Sequence, residues 1–193
     1  MKKIYLLSIQ LFLLLFVFST SCKKKKDEPY VYIPEEDPLS GVLYIGKKYQ
    51  GGIIAYIDNT REHGFITSYG DMSKQVPWDN GESIFINTES AIGTGKKNTE
   101  KIVEMLGDGI YAAKICADYV SEGYSDWYLP SKEELDLLWS NRDEIGGLFG
   151  CYWSSTDNKN NPQFAYAVVI PLGVKEYNFA KAQPYSVRPI RYF

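Results

Sequence analysis

The stretch YSDWYLPSKEEL, residues 124–135, combines two large aromatic side chains, a proline and a helix-start signal. Ser131 and Glu134 have the spacing of a capping box, in which the serine hydroxyl accepts from the glutamate N–H and the glutamate carboxylate accepts from the serine N–H. Pro130 has no N–H to donate and restricts Leu129 to extended backbone. The stretch therefore predicts a strand-like segment, a corner and a helix that starts at Ser131.

Two tryptophans accompany this corner. Trp127 and Trp153 each lie beside a tyrosine in a strand-like segment. Side chains of this size bury a large apolar area when they pack in a protein interior. We expect both to be structural rather than ligand-contacting, so that residues 124–135 form a folding corner.

The N-terminal residues are typical of a lipoprotein leader. Lys2 and Lys3 precede an uncharged apolar run, residues 4–18, which is too short to span a membrane but suits a signal-peptide core. The segment FSTSC that follows resembles the lipobox of bacterial lipoproteins. The resemblance implies that residues 1–21 are removed and that Cys22 carries the lipid. An ordinary secretory signal with an incidental cysteine is the alternative.

The lysine-rich run after Cys22 is similar to the tether of surface-exported lipoproteins, which implies a bacterial outer-membrane protein that faces outward. The prolines and acidic residues that follow this run predict that residues 22–40 form a flexible tether. The remaining residues, 41–193, have the length of one domain. The chain has 21 Lys and Arg against 24 Asp and Glu, and loss of the leader removes two lysines. This acidic balance argues against a nucleic-acid partner.

Short strand-like segments open and close the domain, and two helices are predicted between them. The first helix has Asn98 as its N-cap and an apolar stripe at helical spacing, formed by Ile102, Leu106, Ile110, Ala113, Cys116 or Ala117, and Val120. The second runs from Ser131 to about Arg142 and turns Leu135, Leu138 and Trp139 inward. These elements predict an α+β fold with an antiparallel sheet.

Patterns for catalysis or metal binding are weak. His63 is the only histidine and lies in a predicted turn, and no G-x-S-x-G motif occurs. The segment GTGKKNT lacks the first glycine and the final hydroxyl of a phosphate loop. Residues 157–163 offer oxygen ligands without the spacing of a calcium loop, so a bound calcium and a plain solvated loop both stay open. We predict no catalytic residue, no metal site and no cofactor.

Cys116 and Cys151 are the remaining cysteines. The oxidising envelope permits a disulfide between them. However, Cys116 belongs to an apolar helical stripe and Cys151 opens a predicted core strand, and small buried thiols suit both places. We favour two free thiols and keep the disulfide as the alternative.

Six separated motifs resemble the Lcl C-terminal domain-like family, in the order GGIIAYID, IGTGKKNTEKIV, AAKICADY, YSDWYLPSKEELDLLW, YWSST and SVRPIRYF. The chain is identified as a member from about Ile45 to Phe193. The resemblance implies a fold similar to C-type lectins and formylglycine-generating enzymes, and ligand binding more often than catalysis. The tail from Tyr152 to Arg191 also resembles variable proteins of diversity-generating retroelements, in which the positions between fixed residues vary and contact ligand.

The chain between YWSST and SVRPIRYF carries amide and aromatic side chains of the kind that antibody paratopes use. We predict that the ligand-binding residues are Asp157, Asn158, Asn160, Asn161, Gln163, Tyr166, Glu176, Tyr177, Asn178, Phe179, Gln183 and Tyr185. An irregular edge strand whose tyrosines merely cover the sheet is the alternative. The predicted function is a lipid-anchored, adhesin-like module for an extracellular protein or glycan. An envelope enzyme on a lectin-like fold and a structural subunit of a surface assembly are the competing interpretations.

Overall fold

The computed structural model describes residues 41–170 and 172–193, apart from the side chain of Tyr177. The predicted leader, the predicted tether and Cys22 lie outside the described residues. The elements are β1 (Lys48–Tyr49), β2 (Gly52–Ile57), β3 (Gly64–Thr67), β4 (Ser73–Val76), α1 (Gly95–Leu106), α2 (Ala112–Ala117), α3 (Lys132–Ser140), α4 (Arg142–Ile145), β5 (Gly150–Asp157), β6 (Phe164–Ile170), β7 (Val174–Ala180), β8 (Tyr185–Val187) and β9 (Ile190–Tyr192).

The strands form two sheets, and helices α1 to α4 follow β4 and precede β5 in the chain. The first sheet has the antiparallel order β1-β2-β3-β9 and so joins the first and last described strands. The second has the order β4-β8-β5-β6-β7, and its pairings are antiparallel except for β5 with β8, which are parallel. The predicted α+β class with antiparallel sheets is therefore confirmed, with one parallel pairing that the sequence did not indicate.

The helix after Pro130 begins as predicted. Ser131 is the N-cap of α3, its hydroxyl accepts from the N–H of Glu134 at 3.4 Å, and its own N–H donates to the Glu134 carboxylate at 2.7 Å. Leu135 and Leu138 are buried as expected. Trp139 is only partly buried, and its ring lies 4.1 Å from the Lys175 ammonium rather than deep in the core.

The long first helix of the sequence prediction is two shorter helices. Gly107 has a φ of 67°, a left-handed conformation that glycine adopts without steric cost, and it ends α1. Helix α2 then starts at Ala112. Ile110 and Val120, expected on the buried stripe, are 79% and 60% exposed, so this part of the prediction is wrong.

Asn98 is not the N-cap of α1, because the helix begins at Gly95 with Thr94 before it. The Asn98 side chain instead holds a neighbouring loop: its oxygen accepts from the Glu89 N–H at 2.8 Å and its NH₂ donates to the Glu89 carbonyl at 2.6 Å. A Cβ atom at Gly95 would lie 2.8 Å from the backbone nitrogen of Ser131. Only glycine therefore lets the start of α1 pack against the start of α3.

The corner is tied to the C-terminal strand. The backbone N–H groups of Tyr128 and Ile190 each donate to the other residue's carbonyl, at 2.9 and 3.0 Å. Trp127 and Trp153 are both buried, and their indole N–H groups donate to the carbonyls of Tyr124 and Val76, each at 3.0 Å. The expectation that both tryptophans pack in the interior is confirmed, and their lack of contact with ligand stays a prediction.

Cys116 and Cys151 are free thiols, which confirms the favoured alternative. Cys116 is fully buried and Cys151 is partly buried against the same apolar cluster. Burial raises the pKa of Cys151 to about 12. Both thiols therefore stay protonated at neutral pH, which makes them poor nucleophiles.

No helix in the described ranges 41–170 and 172–193 combines the length and the apolar character that a membrane crossing requires.

Candidate functional site

The loop after β5 contains the densest group of predicted ligand-binding residues, and Asp157 anchors it. The Asp157 carboxylate accepts backbone N–H bonds from Ile86 at 3.0 Å, Asn87 at 3.1 Å and Thr88 at 3.0 Å, and a fourth bond from the Thr88 hydroxyl at 2.8 Å. The Thr88 hydroxyl in turn accepts from the Asp157 N–H at 2.8 Å. Asp157 therefore fastens the distant segment 86–88 to the end of β5.

Burial by itself would raise the pKa of Asp157, but the hydrogen bonds from Thr88, Ile86 and Asn87 outweigh it and hold the pKa below its ordinary value. The carboxylate is ionised at neutral pH and its side chain is buried. The Asp157 carboxylate therefore holds segment 86–88 in place and is not itself available to bind a ligand. A calcium ion bound by Asp157 would have to compete with these four hydrogen bonds.

Asn158 shapes the loop itself. Its side-chain oxygen accepts from the backbone N–H groups of Asn160 at 2.8 Å and Asn161 at 3.2 Å, which is an Asx-type turn. Its NH₂ donates to the side-chain oxygen of Asn178 at 3.4 Å. Because Asn178 lies on β7, this bond joins the loop to the edge strand of the second sheet.

These contacts surround a cavity of about 490 Å³, which we call the amide cavity; its lining residues are Ser90, Thr156, Asp157, Asn158, Lys159, Asn160 and Asn178. Asn160 and Asn178 are exposed, so their amide groups are accessible to a ligand. The Lys159 ammonium lies 3.3 Å from the Glu89 carboxylate at the exposed rim. The structure thus brings together four of the predicted residues: Asp157, Asn158, Asn160 and Asn178.

Three of the predicted aromatic contacts are placed differently. Tyr166 is buried on β6, and its hydroxyl donates to Asp136 at 2.8 Å. Phe179 and Tyr185 pack partly buried against the core, with ring centroids 5.6 Å apart, and Tyr185 lies 4.7 Å from Trp153. Burial removes the Tyr166 ring from contact with a ligand, whereas ligand contact by the partly exposed Phe179 and Tyr185 stays a prediction. The Tyr177 side chain lies outside the described residues.

The other predicted residues lie outside the lining of the amide cavity. Glu176 and Gln183 are exposed on or beside β7. Gln163 is exposed and Asn161 is half-buried in the loop between β5 and β6, where the Asn161 side chain accepts from the Gln163 N–H at 3.0 Å. The structure therefore does not bring all twelve predicted residues into one site.

Three residues of the amide cavity were not predicted: Ser90, Thr156 and Lys159. Lys159 stands between two predicted asparagines, so its position alone could have indicated it. Thr156 ends the YWSST motif, and its hydroxyl donates to the Glu89 carbonyl at 3.0 Å and accepts from the Lys132 N–H at 2.9 Å. Ser90 comes from a segment more than 60 residues earlier, and no local pattern indicates that approach.

Comparisons with known proteins found few similarities to this chain. No protein-family model matches the chain, and no curated protein matches it. Among solved structures, a fimbrial protein from Bacteroides ovatus is similar at 16% sequence identity with a TM-score of 0.43. The overlap covers 66% of this chain and 35% of that one, so this chain spans about a third of the length of the fimbrial protein.

Proposed function

We propose that this chain is a lipid-anchored binding module of the bacterial cell envelope, adhesin-like, which holds an extracellular protein or glycan in the amide cavity. The family resemblance to Lcl C-terminal-like domains, with its lectin-like fold, supports this proposal. The observation that carries it is the cavity itself: amide and hydroxyl groups from three separate segments of the chain line one opening. Side chains that both donate and accept hydrogen bonds suit a polar ligand.

The walls of the amide cavity are fixed before any ligand binds. Asp157 and Thr88 hold one wall with five hydrogen bonds, and Asn158 holds the loop opposite with bonds to two backbone N–H groups. A site whose supporting groups are already ordered loses less conformational entropy on binding. Asn160 and Asn178 therefore present their amides from a rigid support.

We expect the double substitution Asn160→Ala and Asn178→Ala to weaken ligand binding by at least about tenfold, because it removes two hydrogen-bonding groups of about 1 kcal/mol each. Intact cells that carry the full-length protein are applied to defined glycan and peptide arrays, and binding to each array feature is measured. Asn178→Ala also removes the 3.4 Å hydrogen bond from Asn158. Because both substituted side chains are exposed, the melting temperature should fall only slightly.

Gln75→Ala is the matched control, since Gln75 is an exposed amide that neither lines the cavity nor belongs to the predicted ligand-binding residues. It should bind every array feature that the wild type binds. The amide cavity is the wrong site if the double variant keeps wild-type affinity, or if the control loses binding as strongly.

The anchor has its own test. We expect Cys22→Ser to release the protein from the outer-membrane fraction without changing its melting temperature, because the predicted tether separates the lipid from the domain. Cell fractionation measures the release, and Cys151→Ser is the control because it removes a thiol that is not in the lipobox. Equal membrane retention of both variants would exclude lipidation at Cys22.

A genomic observation separates a diversified binding module from a structural subunit. A nearby reverse-transcriptase gene with a near-copy of the tail-coding segment, differing at adenines, would support retroelement-diversified binding. A structural subunit would have no use for such a copy.

A further inference from the structure

A second cavity, which shares no lining residue with the amide cavity, lies between α1 and the corner and has a volume of about 570 Å³; we call it the α1 groove. One face of α1 lines it with side chains at helical spacing: Lys96, Thr99, Glu100, Val103 and Glu104. Residues 125–128 of the corner and Ala117 at the end of α2 form the rest of the lining. None of these residues belongs to the predicted ligand-binding set.

The apolar surface of the groove that a partner can reach is small. Thr99, Trp127 and Tyr128 are buried, so they close the floor and offer little surface to a ligand. Val103 and Ala117 are half-buried, and each therefore presents part of an apolar side chain to the groove. This area suits the methylene stem of a side chain better than a whole aromatic ring.

The net charge of the groove is negative. Asp126 accepts from the Arg191 Nε at 2.5 Å and from its Nη2 at 3.1 Å. Burial acts to raise the pKa of Asp126, but Arg191 and, more weakly, Lys96 hold that pKa below its ordinary value. Glu100 and Glu104 are exposed, and no ion pair in residues 41–170 and 172–193 includes either carboxylate. Two accessible carboxylates on α1 therefore lack a bound counter-ion.

The stability of α1 does not explain these two glutamates. Glu100 and Glu104 are four residues apart, where like charges repel each other across one helical turn. Glu104 also lies in the last turn, where the helix dipole favours cations, and α1 has no basic residue there and no acidic residue in its first turn. Side chains that oppose the local stability of their own helix are expected at functional sites.

We propose that the α1 groove binds an extended segment of a partner protein with the pattern Arg-x-Arg, each guanidinium pairing with one of Glu100 and Glu104. Residues i and i+2 of an extended chain lie about 7 Å apart on one face, which matches the rise of about 6 Å between the two glutamates. The arginine stems cover Val103 and Ala117, and the exposed Ser125 hydroxyl faces the segment from the corner. Arginine fits better than lysine because its planar fork donates two hydrogen bonds to one carboxylate.

The test is saturation-transfer NMR on the full-length protein in uncharged detergent micelles, with the tripeptide acetyl-Arg-Ala-Arg-amide as the probe. We expect saturable transfer to the β and γ methylene protons of its arginines, because these stems lie against the apolar wall. The same tripeptide with citrulline in place of arginine has the same length without the charge, and it should show no saturable transfer. Added sodium chloride should weaken binding of the arginine probe, because it screens exposed carboxylates.

The double substitution Glu100→Gln and Glu104→Gln should raise the dissociation constant of the arginine probe about fivefold to tenfold, because two exposed charge pairs are lost. Its melting temperature should stay constant or rise slightly, since the change removes a like-charge repulsion from α1. Glu62→Gln with Glu82→Gln is the matched control, because it removes two exposed negative charges outside the groove lining. This control should bind the probe like the wild type.

The proposal is overturned if the wild type shows no saturable transfer, if the citrulline probe binds as well, if the Glu100 and Glu104 variant keeps wild-type affinity, or if the control loses affinity as strongly. Two other occupants would also overturn it. A second copy of this chain would make the wild type a dimer by light scattering and the Glu100 and Glu104 variant a monomer.

The lysines at positions 23–26 of the same chain are the other alternative occupant. Their replacement by serine would then tighten binding of the arginine probe, whereas a groove for a partner segment should bind the probe equally with and without them. Because none of these changes alters the lining of the amide cavity, either site can fail its test while the other passes.

Discussion

Trp127→Ala is expected to lower the free energy of unfolding by about 3 to 5 kcal/mol, because it empties a large buried volume. The indole is 3% exposed and packs with Ile54 and Ile66 between the first sheet and the corner. It also stacks edge-on against Tyr119 at a centroid distance of 5.1 Å. Chemical denaturation of the full-length protein measures the loss.

The control for this substitution is Phe149→Ala, in which an aromatic ring that is 79% exposed is removed. It should change the free energy of unfolding by no more than about 0.5 kcal/mol. An unchanged melting midpoint for Trp127→Ala would contradict its structural role. A loss of ligand binding at full stability would instead make the corner a ligand platform.

Asp157→Ala should cost about 3 to 5 kcal/mol, through lost hydrogen bonds rather than lost volume. The backbone N–H groups of Ile86, Asn87 and Thr88 would lose their acceptor together. Segment 86–88 would then detach from β5, and the amide cavity would lose one wall. We therefore expect this variant to lose ligand binding as well as stability.

The same residue predicts a pH dependence. Because the pKa of Asp157 is lower in the folded protein than its ordinary value, its carboxylate stabilises the fold above the unfolded pKa of about 3.9. That contribution is lost as the pH falls through the lower, folded pKa. The difference in unfolding free energy between the wild type and Asp157→Ala should therefore be constant near neutral pH and shrink below about pH 4.

Asp143→Ala is the control, since this carboxylate is 82% exposed and its contact with Arg142 spans 3.6 Å. Exposed ion pairs contribute about 0 to 1 kcal/mol, so the effect should be small at every pH. A difference between wild type and Asp157→Ala that persists unchanged at pH 2 would show that the Asp157 carboxylate does not hold segment 86–88 by its charge.

Short sequence patterns predicted the structure correctly where the interactions that determine it join residues close together in the sequence. The start of α3 was predicted because the capping box joins Ser131 to Glu134, three residues away, and because Pro130 restricts the residue before it. The burial of Trp127 and Trp153 followed from side-chain size. The same local reasoning failed after Gly107, because this left-handed residue ends α1 and the periodicity of α1 therefore does not extend to Ile110, which is exposed.

The amide cavity is formed by contacts between residues far apart in the sequence, and short sequence patterns do not predict such contacts. The tail composition predicted amides at a ligand site, but it did not distinguish Asn160 and Asn178, which are exposed, from Asp157, which is buried. That difference arises because segment 86–88 folds onto the end of β5 from about 70 residues away and uses the carboxylate as its acceptor. The sequence by itself determined the α+β class and the corner, since capping and strand patterning act over a few residues. Only the tertiary structure decided which polar side chains fasten the fold and which face solvent, since their hydrogen-bond partners come from distant parts of the chain.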